Sequence, residues 1–184
     1  MSFDDYGFVV WITGLPGSGK TTIARRLEAK LREKGLKVEV FDGDEVRRNL
    51  SAGLGFSRED RETHNKRVIY VCKLLARNGV NCIVSLISPY RSVREYARRQ
   101  FPKFVEVYCK CSLEECMRRD PKGLYRKALA GEITNMTGIQ DPYEEPTNPE
   151  VTIDTEHDPI NHNVQKVLEK LVELGYLRHK IREL

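Results

Sequence analysis

Apolar and polar positions follow one repeating order along this chain, with short apolar runs alternating with helical stripes. Phe8, Val9, Val10, Trp11, Ile12 and Thr13 form a largely β-branched and aromatic run that reads as a buried strand over 8–13. Ile23, Leu27 and Leu31 recur at helical spacing over 22–34, with Gly35 as the stop. Residues 36–41 alternate as a strand and run into Asp42, Gly43 and Asp44. Ser57 with Asp60 three residues on resembles a capped start, and the helix it opens passes Val68, Val71, Cys72 and Leu75 to end near Gly79. Further along, the pattern predicts strands over 82–87, 104–109 and 151–153, and helices over 91–100, 112–119 and 160–174. No internal repeat and no low-complexity segment interrupts it. Strands separated by helices imply parallel pairing through right-handed crossovers, hence an α/β fold: a three-layer α/β/α sandwich around a parallel sheet.

Residues 120–150 break the alternation. They hold four prolines (Pro121, Pro142, Pro146, Pro149) and no convincing strand. A compact domain keeps so long an irregular stretch mainly as a functional loop, which predicts a mobile flap at about 120–150. Lys122, Arg126 and Lys127 suit closure over phosphates, and Leu124, Tyr125, Ile133, Met136, Ile139 and Tyr143 are too apolar for simple disorder.

Composition narrows the picture further. The 184 residues fit a single domain. No apolar run reaches about 18 residues, which argues against a membrane span, and the acidic start at residues 1–6 lacks the features of a signal peptide. The expected setting is cytoplasmic. Five cysteines (Cys72, Cys82, Cys109, Cys111, Cys116) form no C-x-x-C pair and read as small buried hydrophobes in a reducing compartment, with Cys109 and Cys111 on one face of a strand. The net charge of +4 is mild and spread out, which suits anionic small molecules and not a nucleic-acid face. The basic tail at 178–182 reads as a solvated helix end.

The chemistry starts at Gly14, Leu15, Pro16, Gly17, Ser18, Gly19, Lys20 and Thr21, which satisfy G-x-x-x-x-G-K-[ST] at every required position. A strand, a glycine-rich turn and a helix N-terminus aim backbone N–H groups and a helix dipole at one point. Lys20 can reach the outer phosphates and the Thr21 hydroxyl can ligate Mg²⁺, so the fold is of P-loop NTPase or kinase type. Ligands of such sheets sit beyond the carboxyl ends of the strands. Asp42, Asp44 and Arg47 follow the second strand there, and Ser88, Pro89, Tyr90 and Arg91 the third. A kinase needs one group to hold or water-bridge the metal and one to accept a hydroxyl proton. Spacing alone does not divide these roles between the two aspartates, whose plain alternative is a turn and a helix cap. Arg47 and Arg61 supply forks for an anionic acceptor.

With these residues in view, the chain resembles the adenylylsulfate kinase (APS kinase) family from about residue 7 to about 155. The resemblance rests on residues 7–11 with the loop at 14–22 and on Asp42-Gly43-Asp44-Glu45-Val46-Arg47. It continues through residues 54–61, through Val84-Ser85-Leu86-Ile87-Ser88-Pro89-Tyr90-Arg91, and through the flap strings at 119–125, 130–133, 137–139, 141–144 and 148–150. It implies Mg·ATP-dependent phosphorylation of the 3′-hydroxyl of adenosine 5′-phosphosulfate (APS) to give 3′-phosphoadenosine 5′-phosphosulfate (PAPS). By the same resemblance, residues 14–22, including Thr22, hold ATP and Arg119 lies near its base. Thr21 and Asp42 serve the metal. Asp42, Asp44, Arg47, Phe56, Arg61, His64, Ile87, Ser88, Lys122 and Leu124 surround APS. Within that set, Arg47 and Arg61 grip the phosphosulfate, Phe56 stacks on adenine, and Lys122 and Leu124 close over the substrate. The catalytic set is Lys20, Asp42, Asp44 and Ser88, the last also as a phosphoserine intermediate, although in-line transfer is the expected course. His64 stands where the family usually has asparagine, Met136 where it usually has an aromatic, and Pro16 where it often has serine. The partner expectations are a homodimer and a functional link to ATP sulfurylase. The alternatives are another small-molecule P-loop kinase, or an inactive nucleotide-binding module regulating a sulfurylase; the intact Lys20, Thr21, Asp42 and Asp44 argue against the second.

Overall fold

The computed structural model describes residues 5–178; the first four residues and the tail beyond Arg178, with most of the acidic start and of the basic tail, lie outside it. Five strands form one sheet in the order β2-β3-β1-β4-β5, and every pairing is parallel. They are β1 (Val9–Thr13), β2 (Val38–Asp42), β3 (Asn81–Ser85), β4 (Phe104–Lys110) and β5 (Val151–Asp154). The helices are α1 (Lys20–Glu33), α2 (Gly43–Asn49), α3 (Arg58–Ala76), α4 (Arg91–Gln100), α5 (Leu113–Arg119), α6 (Leu124–Leu129) and α7 (Ile160–Glu173). The sheet's two faces carry separate cores. Val10, Ile12, Ile83, Val105, Val107 and Ile153 face Ile23, Leu27 and Leu31 of α1 and Val164, Val167 and Leu171 of α7. Val9, Trp11, Cys82 and Val84 face Val68, Ile69 and Cys72 of α3 and Val93 and Ala97 of α4. A sheet buried on both faces needs the continuous apolar strands seen in the sequence.

Local chemistry explains where the elements begin and end. Gly35 turns left-handed (φ 81°) after α1 and the Leu36 N–H bonds back to the Leu31 carbonyl, so β2 opens at Val38 rather than at 36. Ser57 caps α3 through Asp60 N–H, as its spacing predicts. β3 stops at Ser85 instead of 87 because the chain peels away, with the Ile87 and Ser88 carbonyls bonded to the Thr13 hydroxyl and Ser88 at φ 45°. Two short helices escape the periodicity. The Asp42 carboxylate caps α2 through Asp44 N–H, and Asp120 holds the Tyr125 and Arg126 N–H groups at the start of α6.

The flap is more built than its prolines suggest. Besides α6 it carries a bridge between Thr137 and Asp141, and it encloses a third core of Cys111, Cys116, Tyr125, Ala128 and Met136, against which Leu15 packs. Cys111 corrects an expectation: β4 ends at Lys110, so Cys111 joins this third core while Cys109 belongs to the sheet. All five cysteines are buried and unbridged. Among the described residues no helix is long and apolar enough to cross a membrane.

Candidate active site

Register brings the chemistry to one edge. Ser85 pairs with Ile12 of β1 and with Asp42 of β2, so three strands end nearly level and their loops leave side by side. The loop after β1 wraps closely over its neighbours. A Cβ on Gly14 would lie 2.7 Å from the Cys109 carbonyl oxygen, and Gly19 holds φ 92° where α1 begins. No side chain caps α1, which leaves its first N–H groups facing the loop as anion donors. The helix starts at Lys20, three residues before Ile23 opens its apolar stripe.

Lys20 is buried and donates to the Leu15 carbonyl at 2.7 Å. Desolvation pushes its pKa down from the ordinary lysine value, with Cys109, Cys116 and Asp42 working the other way. The Thr21 hydroxyl donates to Asp42 at 2.7 Å. These two hard oxygens at the loop's mouth suit a hard cation, and no cluster of three or more His, Cys, Asp or Glu side chains forms a cage among the described residues. Asp44, two residues on, forms an ion pair with Lys122, which brings the flap against this edge. Leu124 packs on the third core beneath it.

Arg47 and Arg61 converge on one aromatic ring. The Arg47 guanidinium lies 4.4 Å and that of Arg61 5.4 Å from the centre of Phe56, a residue left 51% exposed. Arg47 donates to the Gly55 carbonyl (2.7 Å); Arg61 donates to the carbonyls of Phe56 (3.0 Å) and of Asn135 in the flap (2.5 Å). Burial lowers both pKa values, and the repulsion of Arg61 lowers that of Arg47 further. Two partly desolvated cations beside an exposed ring suit an anion attached to a planar base.

His64 lies buried behind these arginines, with Nδ1 2.8 Å from the Ser51 hydroxyl. Burial, then Arg47, Arg67 and Arg61, bring its pKa down from 6.5 to about 4. The folded protein thus keeps it neutral at pH values where the unfolded chain takes up a proton, and stability falls as pH drops from about 6.5 to about 4. The wild type is expected to lose up to about 3 kcal/mol more than His64→Asn over that window. Denaturant unfolding at each pH measures it; equal pH profiles would overturn the assignment.

The remaining expected residues lie close by. Arg119 donates to Glu115 (2.7 Å) and to the Thr155 carbonyl (2.7 Å), while the Thr155 hydroxyl donates to the Ser18 carbonyl (2.6 Å). Arg119 is thereby tied to the loop's flank. Pro16 offers its carbonyl to the Tyr125 hydroxyl at 2.7 Å, a flap-to-loop contact. Met136 is buried inside the flap. The Ser88 hydroxyl is buried without a hydrogen-bond partner, whereas its carbonyl accepts from Arg94 and Thr13. Thr13, Tyr143 and Thr155 were missed at the sequence level. Thr13 carried a signal, as a hydroxyl ending an apolar strand next to the loop, and Tyr143 lay in a string that gave the resemblance but no role. Nothing local marks Thr155.

A family model described as adenylylsulphate kinase matches residues 6–154. The "Probable bifunctional SAT/APS kinase 2" of Sorangium cellulosum is 56% identical over 171 residues, which are 93% of this chain and 29% of that relative. The "Probable adenylyl-sulfate kinase" of Pyrococcus abyssi is 54% identical over 171 residues, 93% of this chain and 98% of that one. The solved structure of Mycobacterium tuberculosis APS kinase in complex with AMPPNP and APS matches with a TM-score of 0.88 at 44% identity, covering 91% of this chain and 98% of that chain.

Proposed function

The chain belongs to the adenylylsulphate kinase family, and from that premise we propose how its residues divide the work. The protein is an ATP-dependent adenylyl-sulfate kinase: it transfers the γ-phosphate of ATP to the 3′-hydroxyl of APS, giving PAPS and ADP. The observation that carries the residue-level reading is a juxtaposition. A phosphate loop tied to Asp42 and a pair of arginines around an exposed Phe56 open onto the same edge of the sheet.

In this reading the loop amides and Lys20 hold the β- and γ-phosphates and neutralise charge that develops during transfer. Thr21 and Asp42 would hold Mg²⁺, an ion that takes only one or two protein oxygens beside nucleotide phosphates. When bound, the ion would supply charge neutralisation for the phosphates. Asp42 is committed to Thr21 and to capping α2, whereas Asp44 is exposed and held only by a flap lysine. That difference supports Asp44 as the acceptor of the 3′-hydroxyl proton. Arg47, Arg61 and Phe56 orient APS, the backbone at Ile87 and Ser88 lines the acceptor, Arg119 flanks the ATP base, and the flap excludes water. His64 acts from behind the arginines, and Lys122 and Leu124 with the closing flap. A cytoplasmic setting, a homodimer and a link to ATP sulfurylase complete the proposal; the link is supported by a relative whose name joins SAT and APS kinase.

A coupled ADP-release assay across APS, AMP, shikimate and gluconate tests the function. Turnover is expected with APS, and equal turnover with any other acceptor would overturn it. A second outcome concerns Ser88. Its unpartnered hydroxyl has no base beside it, and its carbonyl carries the contacts. Ser88→Ala is therefore expected to retain substantial activity, and chiral γ-phosphoryl ATP to show inversion at phosphorus. Net retention would establish a double displacement instead.

A further inference from the structure

Arg94 of α4 is only 1% exposed, unusual for an arginine outside any phosphate contact. Its Nη1 donates to the Ser88 carbonyl at 2.6 Å and its Nη2 to the Glu144 carbonyl at 2.5 Å. Its Nε lies 3.6 Å from Glu106 of β4, itself 4% exposed. A buried ion pair is a poor way to stabilise a fold, because desolvating two charges offsets most of their attraction, and packed apolar side chains serve as well. Arg94 must therefore be judged by what its fork holds.

It holds two things that otherwise have no covalent or strand connection. One is the turn after β3, where Ser88 sits at φ 45° without being glycine, a conformation that persists only when its surroundings enforce it. The other is the chain returning from the flap at 143–145. That strap is stitched to the same turn by further bonds. Glu144 N–H donates to the Pro89 carbonyl (2.8 Å), Arg91 N–H to the Glu144 carboxylate (2.8 Å), and Arg91 Nε to the Glu145 carbonyl (2.7 Å). The Tyr143 hydroxyl lies 2.9 Å from the Thr13 hydroxyl, which donates to the Ile87 carbonyl at 2.6 Å. Thr13 touches both halves through one hydroxyl, whereas Arg94 bonds a main-chain carbonyl on each, with its guanidinium 5.8 Å from the Tyr143 ring.

We propose that Arg94, with Glu106 as its counter-ion, is a positioning residue for the phosphoryl acceptor, locking the strained Ser88 turn to the root of the flap. The proposal rests on the reading that Ile87 and Ser88 line the APS site. A guanidinium can donate to two carbonyls at once in a fixed plane; an ammonium on the same stem keeps the charge against Glu106 but not the fork. Loss of the fork lets the Ser88 turn relax and displaces the acceptor, while the ATP loop, built on another strand, stays as it was.

The test is Arg94→Lys beside Arg98→Lys, with the double variant Arg94→Met/Glu106→Gln in case the single one does not fold. Arg98 also contacts Glu106 (3.2 Å) and pairs with Glu150, but its fork does not bond Ser88 or Glu144. Expected is a fall of about 10- to 100-fold in APS-dependent kcat for the Arg94 variants, with affinity for a non-hydrolysable ATP analogue changed less than about twofold. Arg98→Lys should lower the melting temperature with kcat near wild type. An unchanged kcat in folded Arg94→Lys, equal losses of APS and ATP affinity, or an equal kcat loss in Arg98→Lys would each overturn the role of Arg94. No APS-dependent turnover in the wild type would instead overturn the APS reading on which it stands.

Discussion

Replacing Lys20 by alanine is expected to lower kcat by about 100-fold or more while the fold stays intact. The ammonium is buried and bonded to the carbonyl of Leu15, with a longer contact to the Ser18 hydroxyl at 3.5 Å. Desolvation already works against its charge. Removing it therefore sacrifices little stability and leaves no buried carboxylate unpaired, since no carboxylate among the described residues forms a salt bridge with it. What disappears, on the proposed reading, is the cation that meets negative charge growing as the γ-phosphoryl group transfers. Interactions made chiefly in the transition state appear in kcat rather than in KM. Steady-state kinetics with a thermal melt of the same preparation measure both halves. A near-normal kcat at an unchanged melting temperature would refute the phosphate-loop assignment.

Arg47→Ala and Arg61→Ala are each expected to weaken APS by about 30- to 150-fold, roughly 2–3 kcal/mol, and ATP far less. Both guanidiniums lie over the Phe56 ring and are partly desolvated, and the charge of Arg61 pushes the Arg47 pKa down. A bound anion relieves that repulsion, which is why the pair should act on the phosphosulfate and not on the nucleotide across the loop. Arg61 should show the larger loss. Besides the ring it holds the Phe56 carbonyl and reaches the Asn135 carbonyl, so its removal also frees one tie between α3 and the flap. Separate titrations of APS and a non-hydrolysable ATP analogue distinguish the sites. A loss confined to ATP would place the arginines on the wrong substrate.

Much of this was legible before any coordinates, and for a common reason. The phosphate loop, the Ser57 cap, the Gly35 stop and the alternation of strand and helix are encoded within three to eight neighbouring residues. Their physics is sterics, capping and burial periodicity. The flap's Tyr125, Met136 and Leu124 announced a packed segment by being apolar, and the first two are buried in the third core with Leu124 packed against it. The helices α2 and α6 were hidden because both are held by an aspartate whose capping looks the same as a turn in sequence, whereas the equally short α5 follows a serine cap. Cys111 was misassigned for a similar reason: strand alternation continues on paper past the residue where pairing stops.

The sequence by itself determined that this chain binds a nucleoside triphosphate on a parallel α/β scaffold, and its strings placed it among the adenylylsulphate kinases. Tertiary structure alone decided which residues meet. Thr13 reaches Ile87, Arg61 reaches Asn135, and Arg94 joins Ser88 to Glu144, the first two across a separation of 74 residues. It also separated the two aspartates, one committed to Thr21 and the other to the flap. No local rule contains these contacts, because they follow from strand order. With β1 between β3 and β4, loops far apart in the chain emerge at one edge, and burial there sets which charges are desolvated and which turns are strained.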